Sequence, residues 1–211
     1  LAKNLCEGHE KLAKGNFDQF MMSKSVCGSI CAILGFGGIG KAVLRLIKPF
    51  GAKVYAINTS GKTNEDVDFI GTAADLPKIL PLSDYIVVAM PLSKHTRGLI
   101  GEKELAMMKP DAILVNVARG EIIDEKALYE HLISHPDFKV GIDAWWVEPF
   151  RHGRFETHYP FLDLPNVLGS PHNSAMVPEA IDWATKEAAS NVRNYIETGT
   201  ARGIFRREDY V

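Results

Sequence analysis

The sequence predicts an α/β fold, a doubly wound parallel sheet with helices on both faces and further helices flanking it at the N- and C-terminal ends. Two observations carry this. Ile30 to Leu34 is a wholly apolar run leading into Gly35-Phe36-Gly37-Gly38-Ile39-Gly40, after which Lys41 to Ile47 places apolar residues at helical spacing. Farther on, short strand-like runs alternate with helical patterns, as parallel strands joined by crossover helices do.

In a strand-turn-helix junction each glycine has a use. Gly35 makes the tight turn, Gly37 lets a pyrophosphate approach the backbone, and Gly40 lets helix and strand pack closely. Open N–H groups at the helix start, around Gly38 and Ile39, would hold phosphate oxygens. The plainer alternative is a glycine turn with no ligand. Gly35 to Lys41 also fits the first seven positions of a phosphate-loop NTPase, but Ala42 stands where that motif needs a magnesium-binding hydroxyl.

The 211 residues are 46% hydrophobic and 24% charged, ordinary globular material. A net charge of −2 with scattered Lys and Arg argues against nucleic acid as the main partner. No apolar run approaches a membrane span and no leader pattern opens the chain, so a cytoplasmic location is the default expectation. Cys6, Cys27 and Cys31 are wrongly spaced for a zinc site and read as small buried residues, and no metal is expected.

In chain order, Leu1, Leu5 and Leu12 are placed on one face of a first helix without a capping residue. Phe17, Phe20, Met21 and Met22 form an apolar cluster, read as core or interface. Gly51 ends the helix after the glycine turn, and Lys53 to Ile57 is a second strand. Its end bears on cofactor choice. An Asp or Glu there would bind the ribose 2′-hydroxyl of NAD, whereas Asn58-Thr59-Ser60-Gly61-Lys62 is a neutral turn with a lysine that could hold the 2′-phosphate of NADP. An ordinary polar turn is the equal alternative.

Asp75 to Leu82 suggests a short helix, Tyr85 to Ala89 a third strand, and Pro91 to Thr96 the loop at its carboxyl end. Lys103 to Met108 is a brief helix stopped by Pro110, and Ala112 to Val117 is another strand. Asp124 caps a helix running through Leu132, Val140 to Asp143 and Val167 to Gly169 are strands, and Ala180 to Ile196 is the last helix. Arg119, Glu148 and His172 each stand just beyond a strand end and should project over one rim. Singly they read as a turn residue, a surface charge and a loop histidine; together, beside a dinucleotide turn, they read as a site.

Gly35-Phe-Gly-Gly-Ile-Gly40, Val115-Asn-Val-Ala-Arg-Gly-Glu-Ile-Ile-Asp-Glu125, Gly141-Ile-Asp-Ala-Trp-Trp-Val-Glu-Pro149 and Ser170-Pro-His172 resemble the signature segments of the D-isomer-specific 2-hydroxyacid dehydrogenases, in that family's order and spacing. The resemblance implies a Rossmann domain binding NAD or NADP. Its catalytic residues would be Arg119, Glu148 and His172, and Asp143 would contact the nicotinamide carboxamide. The expected cofactor contacts are Gly35, Gly37, Gly38, Ile39, Gly40, Asn58, Thr59, Ser60, Lys62, Pro91, Thr96, Val117, Ala118, Arg119, Asp143 and His172.

The chemistry of a small 2-keto acid fits these groups. A guanidinium fork at Arg119 would hold carboxylate and carbonyl with charge-assisted bonds worth roughly 1.5–3 kcal/mol each. His172 would give the carbonyl oxygen its proton as hydride arrives, and Glu148 would orient the ring and favour imidazolium. Glu148, rather than an amide, counts against the formate-oxidising branch of the family.

Two departures from the family stand out. Asn58 replaces its common Asp, and the long N-terminal substrate lobe has no counterpart ahead of Leu1. Residues 1–174 are therefore expected to form the NAD(P)-binding domain with its N-terminal helix. Residues 175–211, ending in Arg206-Arg207-Glu208-Asp209-Tyr210, are expected to be the helix and tail that return to an absent substrate domain. The leading expectation is a reductase of glyoxylate, hydroxypyruvate or a phosphorylated relative, paired as a homodimer. The alternatives are a corepressor-like nucleotide-sensing protein, which the same resemblance includes, and an inactive domain fragment.

Overall fold

The computed structural model describes residues 1–204. Seven strands, β1 (Ile30–Leu34), β2 (Lys53–Ile57), β3 (Phe69–Gly71), β4 (Tyr85–Val88), β5 (Ile113–Asn116), β6 (Lys139–Ile142) and β7 (Val167–Gly169), form one sheet in the order β3-β2-β1-β4-β5-β6-β7. Every pairing is parallel. The helices are α1 (Leu5–Ala13), α2 (Gly38–Ile47), α3 (Leu76–Ile79), α4 (Glu102–Met107), α5 (Glu125–Ser134), α6 (Pro149–His152) and α7 (Pro178–Thr198).

The register aligns the carboxyl ends of the strands. Leu34 lies opposite Ile57 and Val88, Val88 opposite Asn116, Asn116 opposite Ile142, and Ile142 opposite Gly169. Residues following these positions share one rim. The strand order reverses between β1 and β4, which opens a crevice at that rim where ligands of such sheets bind. Burial on both faces explains the unbroken apolar strands. Ile86, Leu114, Phe138 and Phe161 belong to the larger cluster, and Ile33, Val54, Ala56 and Ile113 to the smaller.

Local signals behave as their chemistry requires. Asp124 caps α5 by accepting a hydrogen bond from the Ala127 N–H at 2.8 Å. Gly51 adopts the left-handed conformation, φ 79°, that ends the turn after α2. The stretch from Asp75 to Leu82 is broken into α3 and flanking 3₁₀ turns, with Pro77 and Pro81 interrupting the helical ladder.

Several expectations need correction. β3 was not foreseen: it has three residues, too few to show a period, and Tyr85 to Val88 is consequently the fourth strand. Leu1 lies ahead of α1 and packs against the smaller core cluster, while Leu5 and Leu12 are exposed. Phe17, Phe20 and Met22 are exposed, 76%, 81% and 85%, so they are not core of this chain. Of the cysteines only Cys31 is buried, and burial pushes its thiol up to about 12. The Arg206 to Tyr210 tail lies outside the described residues. Among those residues no helix is long and apolar enough to cross a membrane, and no cluster of His, Cys, Asp or Glu could hold a metal ion.

Candidate active site

The glycine turn is built for close approach. Gly35 has φ 105°, and a Cβ there would lie 2.4 Å from the Met90 nitrogen, so the loops after β1 and β4 touch. A Cβ on Gly40 would lie 2.3 Å from the Gly35 carbonyl oxygen, so α2 packs directly on the turn. At Gly37 a Cβ would meet nothing within 4 Å, and no side chain caps α2. The space beside Gly37 and the uncapped N–H groups are what a pyrophosphate needs.

Three cavities run along the rim. One of about 810 Å³ is lined by Gly35, Gly37, Asn58, Thr59, Ser60 and Thr96 among others, and Pro91 also borders it. The next, about 570 Å³, shares Gly37 and Pro91 and adds Gly38, Ile39, Val117, Ala118 and Arg119. The third, about 670 Å³, shares Arg119 and contains Glu148 and His172. Most of the expected site residues are thus brought to one continuous groove.

Lys62, Gly40 and Asp143 line none of these cavities. Asn58 instead folds its own turn: Oδ1 accepts from the Ser60 and Gly61 N–H groups at 3.1 and 2.7 Å, and Nδ2 donates to the Lys62 carbonyl at 2.9 Å. The side-chain amide is occupied by the polar-turn role, and among the described residues no Lys or Arg lines that cavity.

His172 and Glu148 meet closely. His172 Nδ1 lies 2.9 Å from both Glu148 oxygens, and Glu148 Oε1 also accepts from the Trp145 N–H at 2.7 Å. Glu148 is largely buried, 13% exposed in its side chain against 33% for His172. His172 holds φ 50°, a left-handed conformation uncommon outside glycine and costing of order 1 kcal/mol, which aims the ring into the groove.

Two of the supporting residues, Asn116 and Gly120, were not singled out by the sequence reading. Asn116, 1% exposed, donates through Nδ2 to the Arg119 carbonyl at 2.8 Å and accepts from the Ala118 N–H at 3.0 Å. A Cβ on Gly120 would lie 2.4 Å from the Trp145 carbonyl carbon, so only glycine brings the Arg119 turn against the end of β6. Trp145 and Trp146 are buried and donate from Nε1, Trp145 to the Ser170 carbonyl and Trp146 to the Ile123 carbonyl, each at 2.8 Å. Trp145 additionally faces the third cavity. For Asn116 the cue was a polar residue inside an apolar strand.

Asp143 sits beneath this layer, 6% exposed. Burial acts to raise its pKa, but the Ser170 and Ser174 hydroxyls, the positive charge of His172 and the Asn173 N–H outweigh that and hold it below the ordinary carboxylate range. Oδ1 accepts from Ser170 Oγ at 2.6 Å, whereas Oδ2 makes no hydrogen bond of good geometry. That oxygen is closed off from solvent, behind the Ser170 that lines the third cavity.

α6 and the segment after it to Pro160 form the outer wall, with Phe150 and Phe155 on the third cavity. It is tied down by Arg151 to Glu121 at 2.8 Å and by His158 to Glu125 at 2.7 Å. The hydrogen bond to Glu125, then its charge, raises the His158 pKa.

An all-parallel sheet with a glycine turn at its switch point, an uncapped helix start and a groove along the carboxyl rim defines a dinucleotide-binding domain of the Rossmann class. Residues 1–174 match the D-isomer specific 2-hydroxyacid dehydrogenase, NAD binding domain, and the chain belongs to that family. It is 33% identical over 181 residues to a hydroxypyruvate reductase of Thermotoga maritima, covering 85% of this chain and 57% of that protein. It is 36% identical over 151 residues to a glyoxylate reductase of Thermococcus gammatolerans, covering 72% and 43%. The structure of a D-lactate dehydrogenase with NAD⁺ from Lactobacillus jensenii superposes with a TM-score of 0.78 at 28% identity, covering 98% of this chain and 64% of that one. The chain spans about half the length of the curated relatives it matches.

Proposed function

We propose that this chain is the coenzyme domain of an oxidoreductase that interconverts a small 2-keto acid and its D-2-hydroxy acid. The observation carrying the reading is the His172–Glu148 pair in one cavity with Arg119, at the end of the groove that begins at Gly35 to Gly40. Bound reduced nicotinamide supplies the hydride. Arg119 holds the substrate carboxylate and polarises its carbonyl. His172 delivers the proton to the carbonyl oxygen and takes it back in the reverse direction. Glu148 receives Nδ1 of His172 and fixes the ring so that Nε2 is left for the substrate. The family resemblance assigns the nicotinamide carboxamide to Asp143, and Gly37 to Gly40 take the pyrophosphate.

Relatives named hydroxypyruvate reductase and glyoxylate reductase support small keto acids as the substrate class. The cavity containing Asn58, Thr59 and Ser60 without a Lys or Arg favours NADH over NADPH. Residues 1–174 are the coenzyme domain, and α7, none of whose residues is buried, is the element that would pack on a further lobe. Exposed Phe17, Phe20 and Met22 beside α1 favour a homodimer.

The test is keto-acid-dependent oxidation of NADH. Oxidation with glyoxylate or hydroxypyruvate that is lost in His172→Ala supports the reading. A protein that binds NADH but oxidises it with neither acid removes the catalytic part, and one that binds no dinucleotide removes the whole.

A further inference from the structure

We propose that Arg151 is a specificity-determining residue that selects 2-keto acids carrying a second anionic group, such as a phosphate or a distal carboxylate. The proposal rests on the keto-acid reading above. It begins from the charges lining the catalytic cavity, which among the described residues are Arg119, Arg151, His172 and Glu148. Glu148 is paired with His172, and the substrate's own carboxylate satisfies one guanidinium. One cation is left over.

Arg151 is not neutralised by its neighbour. Its Nη1 lies 2.8 Å from Glu121 Oε1, but the same oxygen is 4.0 Å from Arg97 Nη1, so one carboxylate is shared by two guanidinium groups. Glu121 is 16% exposed and lines neither the catalytic cavity nor its neighbour, whereas the 41% exposed Arg151 lines both. Glu121 therefore acts as a positioning group behind the guanidinium, leaving its other N–H donors for the groove.

The placement is also fixed relative to the chemistry. α6 starts directly after Glu148, whose carbonyl accepts from the Arg151 and His152 N–H groups at 3.2 and 2.8 Å. Arg151 is thus one short turn from the carboxylate that holds His172. The remaining walls, Trp145, Phe150, Phe155 and Leu162, offer no charge to a distal anion. An anion beyond the keto carbon has Arg151 as its partner.

Hydroxypyruvate and 3-phosphohydroxypyruvate are suitable probes because they differ only in the second anion. Each is titrated against the chain with NAD⁺ present, so that no turnover occurs, and binding is followed by quenching of tryptophan emission. The wild type is expected to bind the phosphorylated acid about tenfold more tightly, the yield of one partly solvated charge-assisted contact. Arg151→Gln should bring the ratio close to one, and Arg151→Lys should restore part of it. Equal binding to the wild type, or a preference that survives Arg151→Gln, overturns the proposal alone. Loss of NAD⁺ binding in Arg151→Gln overturns it by making Arg151 a cofactor contact. A wild type that binds NAD⁺ but neither acid overturns it together with the keto-acid reading.

Discussion

His172 presents Nδ1 equally to the two oxygens of Glu148, 2.9 Å from each, while Glu148 Oε1 is simultaneously held by the Trp145 N–H. The carboxylate is thus fixed by the backbone before it fixes the ring. Glu148→Gln keeps the shape and removes the carboxylate that accepts from His172 Nδ1. Steady-state kinetics should show keto-acid reduction slowed on the order of 100-fold, with NADH affinity unchanged. An unaltered kcat would mean that the pair is structural.

Gly37 and Gly40 of the turn should separate by what they do. Gly40→Ala places a methyl group 2.3 Å from the Gly35 carbonyl, and the clash should cost roughly 1–3 kcal/mol, read from urea unfolding. Gly37→Ala puts its methyl into open space at ordinary φ, so stability should hold. That methyl occupies the pyrophosphate path, and NADH titration should show affinity down at least about tenfold, the equivalent of roughly 1.4 kcal/mol. The opposite pattern, with Gly37→Ala unstable and binding intact, would remove the phosphate from this turn.

Much of this was legible because the signals are local. An apolar run, three glycines and a helical period identify the β1 to α2 junction without any tertiary information, and strand ends in a parallel sheet necessarily share a rim. Arg119, Glu148 and His172 were therefore found together. Asn116 and Gly120 were not read as supports, since their roles depend on which backbone lies opposite, and only the fold brings Gly120 against Trp145. β3 escaped because Phe69 to Gly71 is held by pairing with β2 rather than by any pattern of its own. The exposure of Phe17 and Phe20 is equally silent in sequence, where an apolar cluster looks the same whether covered or bare.

Asn58 illustrates a residue whose neighbours decide its meaning. Its amide closes the turn through Ser60, Gly61 and Lys62, and the Lys62 side chain lies off the cavity. With no Lys or Arg among the described residues lining that cavity, NADH should bind about tenfold or more tightly than NADPH in parallel fluorescence titrations. Asn58→Asp retains the Oδ1 acceptor, gives up the Nδ2 bond to Lys62, and should widen the gap by repelling the phosphate. Tighter NADPH binding by the wild type would restore Lys62 as a phosphate ligand.

His131 connects the fold to pH. It is buried on α5, stacked on His135 with ring centroids 4.1 Å apart, and its Nε2 has no hydrogen-bond partner among the described residues. Burial, and secondarily the charge of His135, push its pKa down to about 4 from an ordinary 6.5. Between those values the unfolded chain takes up a proton that the folded chain refuses. The neutral imidazole is tolerated fully above pH 6.5, and stability should fall as pH drops from there through about 4, by at most about 3 kcal/mol from this residue. Urea unfolding across this window should show the decline, and His131→Leu, which cannot charge, should flatten it. A variant with the same slope as the wild type would place the acid sensitivity in another group.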